Sequence, residues 1–360
     1  MKACLGALLL TLGAWDASAA TKAFDLQTLA EGVHAMVWKE PLTDPIEGNV
    51  LIIINEQDVL IVDSPFLPST ARRIVAEVRK LTPKPVKYVV NTHWHNDHVQ
   101  GNDVYREAWP GVQFISHTET RQDAIDYAFG QIPKGRESAA QAITTMRGWL
   151  ETGQDTAGKE IDPDRRLRIT NYITFLEGMV EETASIETVA SDITFDEQLT
   201  LFRGSRRIDL LHLGLGNTRG DIVVLLPKER IVATGDLVVH PEPFGFGSYY
   251  KEWIETLGRL AALEVDTFLP GHGPVMLDRS YIETLQALLR TLTTEVDAAV
   301  AEGLSLDETK KVVTLDEWKK KLAGDDAAVR RAFEQFFIAP AVERAWKQAT
   351  KAPDGFGQGS

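Results

Sequence analysis

Short apolar runs separated by polar turns dominate the first part of the chain. Residues 50–55 and 59–62 are rich in β-branched side chains and flank the polar turn 56–58, a pattern typical of paired strands. The segment STARRIVAEVRKLT that follows has apolar residues at helical spacing, at Ile74, Val75, Val78 and Leu81. The run PVKYVVNTH then returns to a strand pattern. Strands alternating with a helix indicate layered α/β structure, in which functional side chains usually follow strand ends.

The pattern changes twice further along the chain. From about residue 118 to 191 it is helical, and strand patterns resume at ITFDEQLTLF, RIDLLHLG and DIVVLLPKERIVATGD. Helical spacing returns after residue 279. We therefore expect one domain over residues 21–279 with a helical insert at about 118–191. A C-terminal helical region over residues 280–350 and a flexible tail over 351–360 would follow it.

The charge of the chain bears on its partners. A length of 360 residues with 44% hydrophobic composition allows a large core, and the formal net charge is −14. Phosphate contacts need clustered Lys and Arg, so a nucleic-acid partner is not expected. A small-molecule substrate remains the expected partner. Nothing in the sequence indicates an oligomeric state.

The first twenty residues have the pattern of a secretory signal. Lys2 gives a positive start, an apolar run follows, and ASAA supplies the small residues that a signal peptidase accepts. The apolar run is too short to span a bilayer, which needs roughly 20 apolar residues. We expect a periplasmic or secreted protein with no transmembrane segment in its mature chain. The single cysteine, Cys4, lies inside this segment, so a mature metal site must use other donors.

The motif NTHWHNDHVQGN, at residues 91–102, is the densest chemical signal in the sequence. His93 and His95 are two residues apart and point to the same side of an extended chain, whereas Asp97 and His98 can face a second point. Imidazole and carboxylate donors suit zinc, and two metals can share one hydroxide. The alternative is a solvated polar loop. The density of donors at a strand end favours a metal site.

This motif resembles that of the metallo-β-lactamase-fold hydrolases, over roughly residues 50–275 without the insert. The resemblance implies a four-layer αβ/βα sandwich with a helical insert and a helical tail. It also implies that Asp236, in IVATGDLVVH, bridges two metals, and that His272, in FLPGHGPV, is the last ligand of the second metal.

One position departs from the family pattern. Where the family has a histidine as third ligand of the first metal, this chain has Asn217, in GLGNTRGD. The resemblance implies a first site of His93, His95, Asn217 and Asp236. It implies a second site of Asp97, His98, His272 and Asp236. Because an amide oxygen is a poorer donor than imidazole, we expect two zinc ions with the first site weak or empty. Alternatively, Asn217 only hydrogen-bonds a water at the metal.

Further residues receive supporting roles. His240 lies four residues after Asp236, and Phe244 and Phe246 follow in an aromatic and glycine-rich segment, so all three are candidates for substrate binding. Asp63 matches a family position that supports the metal loop by hydrogen bonding. Ordinary packing is the alternative for the aromatic residues.

The resemblance implies hydrolysis. In the favoured hypothesis a metal-bound hydroxide, oriented by Asp97 as the catalytic residue, attacks the carbonyl carbon of an ester, thioester, lactone or β-lactam. A metal-dependent phosphodiesterase is one alternative. A non-catalytic metal-binding protein, with the aromatic residues of the helical tail as a docking surface, is the other.

Overall fold

Two β-sheets form the centre of the molecule, in a computed structural model that describes residues 24–38 and 47–352. The expected signal at residues 1–20 and residues 353–360 of the expected tail lie outside the described residues. The strands are β1 (Phe24–Ala30), β2 (Val33–Trp38), β3 (Val50–Ile54), β4 (Val59–Val62), β5 (Val86–Val90), β6 (Gln113–His117), β7 (Ile193–Phe195), β8 (Gln198–Arg203), β9 (Arg206–Leu211), β10 (Val223–Leu226), β11 (Ile231–Val239) and β12 (Thr267–His272).

The first seven strands form one sheet in chain order, and the other five form a second sheet in the order β12-β11-β10-β9-β8. In the first sheet β1 to β4 pair antiparallel and β4 to β7 pair parallel. In the second sheet only the β11–β12 pairing is parallel. The metal motif follows β5, in the middle of the first sheet.

Helices lie on the outer faces of both sheets, in the loop after β5 and in the insert. They are α1 (Pro68–Leu81), α2 (Asn96–Val99), α3 (Asn102–Ala108), α4 (Thr118–Asp123), α5 (Phe129–Thr152), α6 (Pro163–Glu182), α7 (Tyr250–Ala261), α8 (Ser280–Ala301), α9 (Leu306–Val312), α10 (Asp316–Ala323), α11 (Ala327–Ala332) and α12 (Ala339–Thr350). Short π-helical segments at Ala124–Ala128 and Phe333–Ile338 join α4 to α5 and α11 to α12. None of the helices in residues 24–38 and 47–352 is long and apolar enough to cross a membrane.

Alternation along the strands divides the core into layers. On β3, Leu51 and Ile53 belong to the cluster between the two sheets, whereas Val50 and Ile52 belong to the cluster beneath α1 and α3. Side chains of a strand point alternately to its two faces, so a strand buried on both faces is apolar throughout. The resulting order of helices, sheet, sheet and helices is the four-layer sandwich expected from the sequence.

The start of helix α1 is stabilised both by its own sequence and by a residue about twenty positions earlier in the chain. Pro68 stands at its first turn, where a missing N–H costs no hydrogen bond. Ile74 and Val78 lie on its buried face. The carboxyl group of Glu47, itself fully buried, accepts hydrogen bonds from the backbone N–H groups just before the helix. Glu47 thereby satisfies donors that the helix itself leaves unpaired.

The insert has its own small core and is joined to the domain through α4. Buried side chains of α5 and α6, including Met146 and Ile169, pack against each other rather than on a sheet. The amphipathic pattern read from the sequence over this segment corresponds to these two helices.

The C-terminal helices share a core with the second sheet. Phe333 and Phe337 are fully buried in one cluster with Trp253 of α7 and Leu289 of α8. Trp318 and Trp346 are partly buried and pack against the same cluster, and Phe336 is half-buried. The aromatic residues considered as a docking surface are thus largely part of the core.

Replacement of Phe337 by alanine tests whether the C-terminal helices fold with the sheets. Loss of a fully buried ring removes its burial energy and leaves a cavity, so we expect destabilisation by about 3–5 kcal/mol. Urea unfolding followed by far-UV circular dichroism would measure it as a shift of one cooperative transition. Phe202→Ala is the matched control because Phe202 is 70% exposed. A separate early transition in Phe337→Ala would show that the helices fold independently.

Candidate metal centre

The motif histidines lie on the loop after β5 and in the short helix α2 that follows it. His93 and His95 follow the end of β5, and Asp97 and His98 occupy the single turn of α2. The side-chain amide of Asn91 donates to the backbone carbonyl of His98 at 2.7 Å. The loop is therefore fixed by buried hydrogen bonds as well as by the strand that precedes it.

A first group of donors joins the two sheets. Asp236 lies on β11 of the second sheet, and its Oδ2 is 3.4 Å from His93 Nε2 and 3.9 Å from His95 Nδ1. One donor atom from each of the three residues lies within 4.8 Å of the others. This set can hold one metal ion.

A second group uses the other oxygen of the same carboxylate. Asp236 Oδ1 lies 3.3 Å from His98 Nε2 and 3.5 Å from His272 Nε2. Asp97 Oδ2 lies 3.1 Å from His272 Nε2 and 3.6 Å from His98 Nε2. Asp236 thus stands between the two groups, with one oxygen directed at each.

The donor atoms fit a metal better than they fit each other. His93 Nε2 and Asp236 Oδ1 are buried without a hydrogen-bond partner, and two ring nitrogens, those of His98 and His272, face each other at 3.3 Å. Ligands around a tetrahedral zinc at bond lengths of about 2.0–2.1 Å are separated by roughly 3.3 Å. Unpaired buried polar atoms are rare in proteins. The observed spacing and the unpaired atoms therefore match a metal-binding arrangement.

Asn217 lies beside the first group. Its side-chain amide nitrogen is 3.5 Å from His95 Nδ1, and its Oδ1 is buried without a hydrogen-bond partner. The oxygen and nitrogen of an amide can exchange by a flip about χ2. Either orientation leaves an amide atom beside His95, so Asn217 borders the first group. His212, which follows the last residue of β9, donates from Nδ1 to the backbone carbonyl of Asp221 at 2.9 Å.

The charges of the site depend on one another. Burial disfavours the protonated form of His98, but the facing carboxylates of Asp236, Asp97 and Asp63 outweigh it and raise its pKa. Burial also opposes ionisation of Asp97 and Asp236, yet the histidines hold the pKa of each carboxyl group below its usual range. Burial lowers the pKa of His93 to about 4. The lowered pKa values favour the ionised form of both carboxyl groups, which attracts a cation.

Asp63 supports the loop as the family resemblance implies. Its Oδ2 accepts from His98 Nδ1 at 2.9 Å, and its Oδ1 accepts from the backbone N–H of Thr92 at 2.7 Å. Its φ of 66° is in the left-handed region, which is uncommon for a residue other than glycine. The contact to Nδ1 leaves Nε2 of His98 directed at the second group.

The segment 47–49 connects both halves of the site, and the sequence did not point to it. The side-chain amide of Asn49 donates to the carbonyls of Pro270 and Gly273 at 2.9 Å each, on either side of the His272 strand end. A β-carbon on Gly48 would lie 2.7 Å from His98 Cε1. Glycine therefore allows this segment to pass close to the site.

The predicted substrate residues lie at different distances from the site. The Phe244 ring is 5.4 Å from the His95 ring and 4.8 Å from that of Phe246. His240 is exposed, and its ring packs against Tyr281 at 4.9 Å. Phe244 and Phe246 thus border the site, whereas His240 stands at its edge.

A cleft adjoins the first group. Its lining residues come from the metal loop, the insert and the loops before β10 and α7, and they are Trp94, His95, Asp123, Tyr127, Asn217, Thr218, Arg219, Phe246, Gly247 and Tyr249. The Trp94 and Tyr127 rings are 5.8 Å apart. The sequence did not indicate Tyr127 or Arg219, because no local pattern links the insert to the turn that carries Asn217 and Arg219.

Comparison with known proteins agrees with this architecture. A profile described as Metallo-beta-lactamase superfamily matches residues 43–272, more than half of the chain. A linear primary-alkylsulfatase from Pseudomonas sp. is 25% identical over 273 residues, covering 72% of this chain and 48% of that protein. The chain thus spans about half the length of that relative. A type 2 metallo-beta-lactamase from Bacillus sp. is 21% identical over 251 residues, covering 68% of this chain and 74% of that protein.

Solved structures show the same fold. A metallo-beta-lactamase from Pontibacter korlensis aligns with a TM-score of 0.53 at 17% identity, covering 74% of this chain and 99% of that one. The chain belongs to the Metallo-beta-lactamase superfamily, and the family and fold class predicted from the sequence are confirmed.

Replacement of Asp63 by asparagine tests its support of His98. The amide weakens the acceptor that fixes His98 Nδ1, so we expect zinc affinity of the second group to fall by about 10–100-fold. Competition titration of the zinc-loaded protein with a chromophoric chelator would measure this change. Asp209→Asn is the control, since Asp209 is a buried carboxylate of β9 that contacts Thr200 and Arg207. Equal zinc affinities in the two variants would contradict the assignment.

Proposed function

We propose that the chain is a zinc-dependent hydrolase that cleaves a carbonyl substrate at a dinuclear centre. The observation that carries the proposal is the position of Asp236 between two sets of donors, one at each carboxylate oxygen. Two-metal hydrolytic sites are built around a shared group of this kind.

Zinc suits this donor set because the set consists of imidazole nitrogens and carboxylate or amide oxygens. His93, His95, Asn217 and Asp236 would hold the first ion. Asp97, His98, His272 and Asp236 would hold the second. When bound, zinc acts as a Lewis acid and lowers the pKa of a coordinated water toward ~7. Asn217 contributes neither charge nor imidazole, which supports weaker binding at the first position.

Asp97 is the residue of the set best placed to handle a proton. The Asp97 side chain is 21% exposed, whereas that of Asp236 is 4% exposed. The Asp97 carboxylate is therefore the more accessible of the two to water. It would accept a hydrogen bond from the attacking water and then its proton. The water oxygen adds to the carbonyl carbon, the bond from that carbon to the leaving atom breaks, and the leaving atom takes the proton from Asp97.

The cleft favours a neutral substrate with an apolar portion. Trp94, Tyr127 and Phe246 supply apolar walls. The Arg219 guanidinium is the one Lys or Arg cation among the described lining residues, and it is engaged by Asp123 at 2.7 Å and Glu119 at 2.8 Å. A substrate anion would have to compete with these two carboxylates. A neutral ester, thioester or lactone meets no such competition, whereas a β-lactam that carries a carboxylate would meet it.

A sulfate ester is the second candidate, although it is an anion that would compete with Asp123 and Glu119 for Arg219. It is supported by the match to the linear primary-alkylsulfatase over 72% of this chain, and Trp94, Tyr127 and Phe246 would be the apolar contacts of its alkyl group. Water would then attack sulfur, with cleavage of the S–O bond and release of the alcohol, or the ester carbon, with cleavage of the C–O bond and release of sulfate. In either case Asp97 would accept the proton of the water and pass it to the leaving group or to solvent.

The proposed place of action is the periplasm or the extracellular space. Its support is the pattern of the first twenty residues. Mass spectrometry of the mature N-terminus after cell fractionation tests it. A chain beginning near residue 21 in the periplasmic fraction is expected, and an intact N-terminus in the cytosolic fraction would contradict it.

A substrate panel on zinc-loaded protein tests the activity. We expect hydrolysis of p-nitrophenyl butyrate or nitrocefin, loss of it on chelation, and recovery on adding zinc. Asp97→Ala should lower kcat/KM by at least about 10²-fold, because a group acting on the reacting atoms is removed. Asp297→Ala, which alters a surface ion pair to Lys251, is the control and should match the wild type.

The same panel separates the candidate reactions. Release of sulfate from dodecyl sulfate without carbonyl hydrolysis would replace the first candidate by the second. Turnover of bis(p-nitrophenyl) phosphate alone would indicate a phosphodiesterase. Full zinc occupancy with none of these reactions would contradict the proposed carbonyl activity and favour a binding role.

A further inference from the structure

The turn that carries Asn217 is held tightly from within. Asp221, which is buried, accepts from the backbone N–H of Thr218 at 2.7 Å and from its hydroxyl group at 2.9 Å. The backbone N–H of Gly216 donates to the Thr218 carbonyl at 3.0 Å. These contacts shape the turn, and two backbone hydrogen bonds tie its ends to neighbouring segments. The N–H of Ile222 donates to the Thr92 carbonyl at 3.0 Å, and the N–H of Tyr249 donates to the Gly216 carbonyl at 2.8 Å.

The first helix of the insert adds side-chain contacts to the middle of this turn. Thr120, on α4, donates its hydroxyl hydrogen to the carbonyl of Gly220 at 2.6 Å. A β-carbon on Gly220 would lie 2.6 Å from the backbone nitrogen of Thr120, so the two segments are in direct contact. α4 therefore packs against the turn only three residues from Asn217.

Arg219 makes the strongest connection between the two segments. Its Nε lies 3.0 Å from Asp123 Oδ2 and its Nη2 lies 2.7 Å from Asp123 Oδ1. Its Nη1 lies 2.8 Å from Glu119 Oε2. Asp123 is 4% exposed. A two-point Arg–carboxylate pair with one buried partner fixes orientation as well as distance.

We propose that Arg219 is a positioning residue, which with Asp123 holds the Asn217 amide beside His95 and so sets the metal affinity of the first group. This inference rests on the proposed role of Asn217 as a donor. A neutral amide binds metal weakly, so its contribution depends on being held at the right place without reorganisation. The donors that belong to the second group alone lie on α2 and β12, away from the Arg219 pair.

The structure also explains why Arg219 acts through the turn rather than on substrate. Three guanidinium nitrogens are engaged by Asp123 and Glu119. A residue that binds substrate would change KM and leave metal affinity alone. A residue that positions a ligand changes the metal affinity even when no substrate is present.

Zinc and cobalt titrations of Arg219→Met and Arg219→Lys test the inference. After chelation, we expect the weaker zinc site of Arg219→Met to lose affinity by about 10–100-fold, with the tighter site unchanged. Cobalt bound at the weaker site should show altered visible absorption bands. Arg219→Lys keeps one ion pair but lacks the planar guanidinium group. The zinc affinity of its weaker site should therefore lie between those of Arg219→Met and the wild type. Circular dichroism would verify that each variant is folded.

Arg230→Met is the matched control. Arg230 also forms a two-point pair, with Asp266 at 2.5 and 2.9 Å, but this pair lies on the exposed turn between β10 and β11 and the segment before β12. Its removal should leave both zinc affinities within about threefold of the wild type.

Asn217→Ala, measured in parallel, separates the two hypotheses. If Asn217→Ala weakens one zinc site and the Arg219 variants do not, the positioning role is wrong and the donor role of Asn217 stands. If neither residue affects zinc affinity, the donor role fails and the positioning role fails with it. Selective weakening of the same site by both substitutions supports the inference.

Discussion

The sharing of the Asp236 carboxylate between two sets of imidazole and carboxylate donors is the interaction on which the site depends. Asp236 comes from the second sheet, whereas the motif histidines follow the middle of the first. The donors therefore meet only when the two sheets pack together. The inter-sheet core, with Leu51 and Ile53 on one side and Val224 and Ala233 on the other, supplies the apolar burial that brings them together. Burying these charges opposes folding unless they are paired or bind metal.

The sequence identified the parts of this arrangement that are local. Alternating and helical periodicities located β3 to β5, β7 to β11, α1 and the helical insert, because each depends on residues close in the chain. They did not locate β1, β2, β6 or β12. The spacing within the motif placed His93, His95, Asp97 and His98 near one another for the same reason. Asp236 and His272 required the family resemblance, since no short pattern connects them to the motif.

Other contacts could not be predicted because they join distant segments. Asn49 contacts carbonyls 221 and 224 residues later in the chain. Arg219 meets Asp123 across 96 residues. In sequence these are isolated polar residues of common type, and only the packing of the sheets and the insert gives them partners. The sequence showed that Asn217 replaces the histidine of the family pattern, but it did not show which residues surround Asn217 in space.

The helical additions on both sides of the sandwich reach the site through loops. The insert contacts the Asn217 turn through α4. The C-terminal region supports the loop after β11, because Gly245 donates to the Phe336 carbonyl at 2.8 Å and Arg344 donates to the Ser248 carbonyl at 3.1 Å. That loop carries Phe244 and Phe246. Both additions thus act as scaffolds for residues that border the metal centre and its cleft.

The most direct test of the shared centre is the zinc content per chain, measured by mass spectrometry of the metal after equilibration with excess zinc and removal of unbound ions. Two zinc ions per chain, one of them released first under mild chelation, is the predicted result. Asp236→Ala, which removes the carboxylate common to both groups, should bind neither ion stably. A wild-type protein that holds no zinc, or an Asp236→Ala variant that retains both ions, would contradict a dinuclear centre built on Asp236.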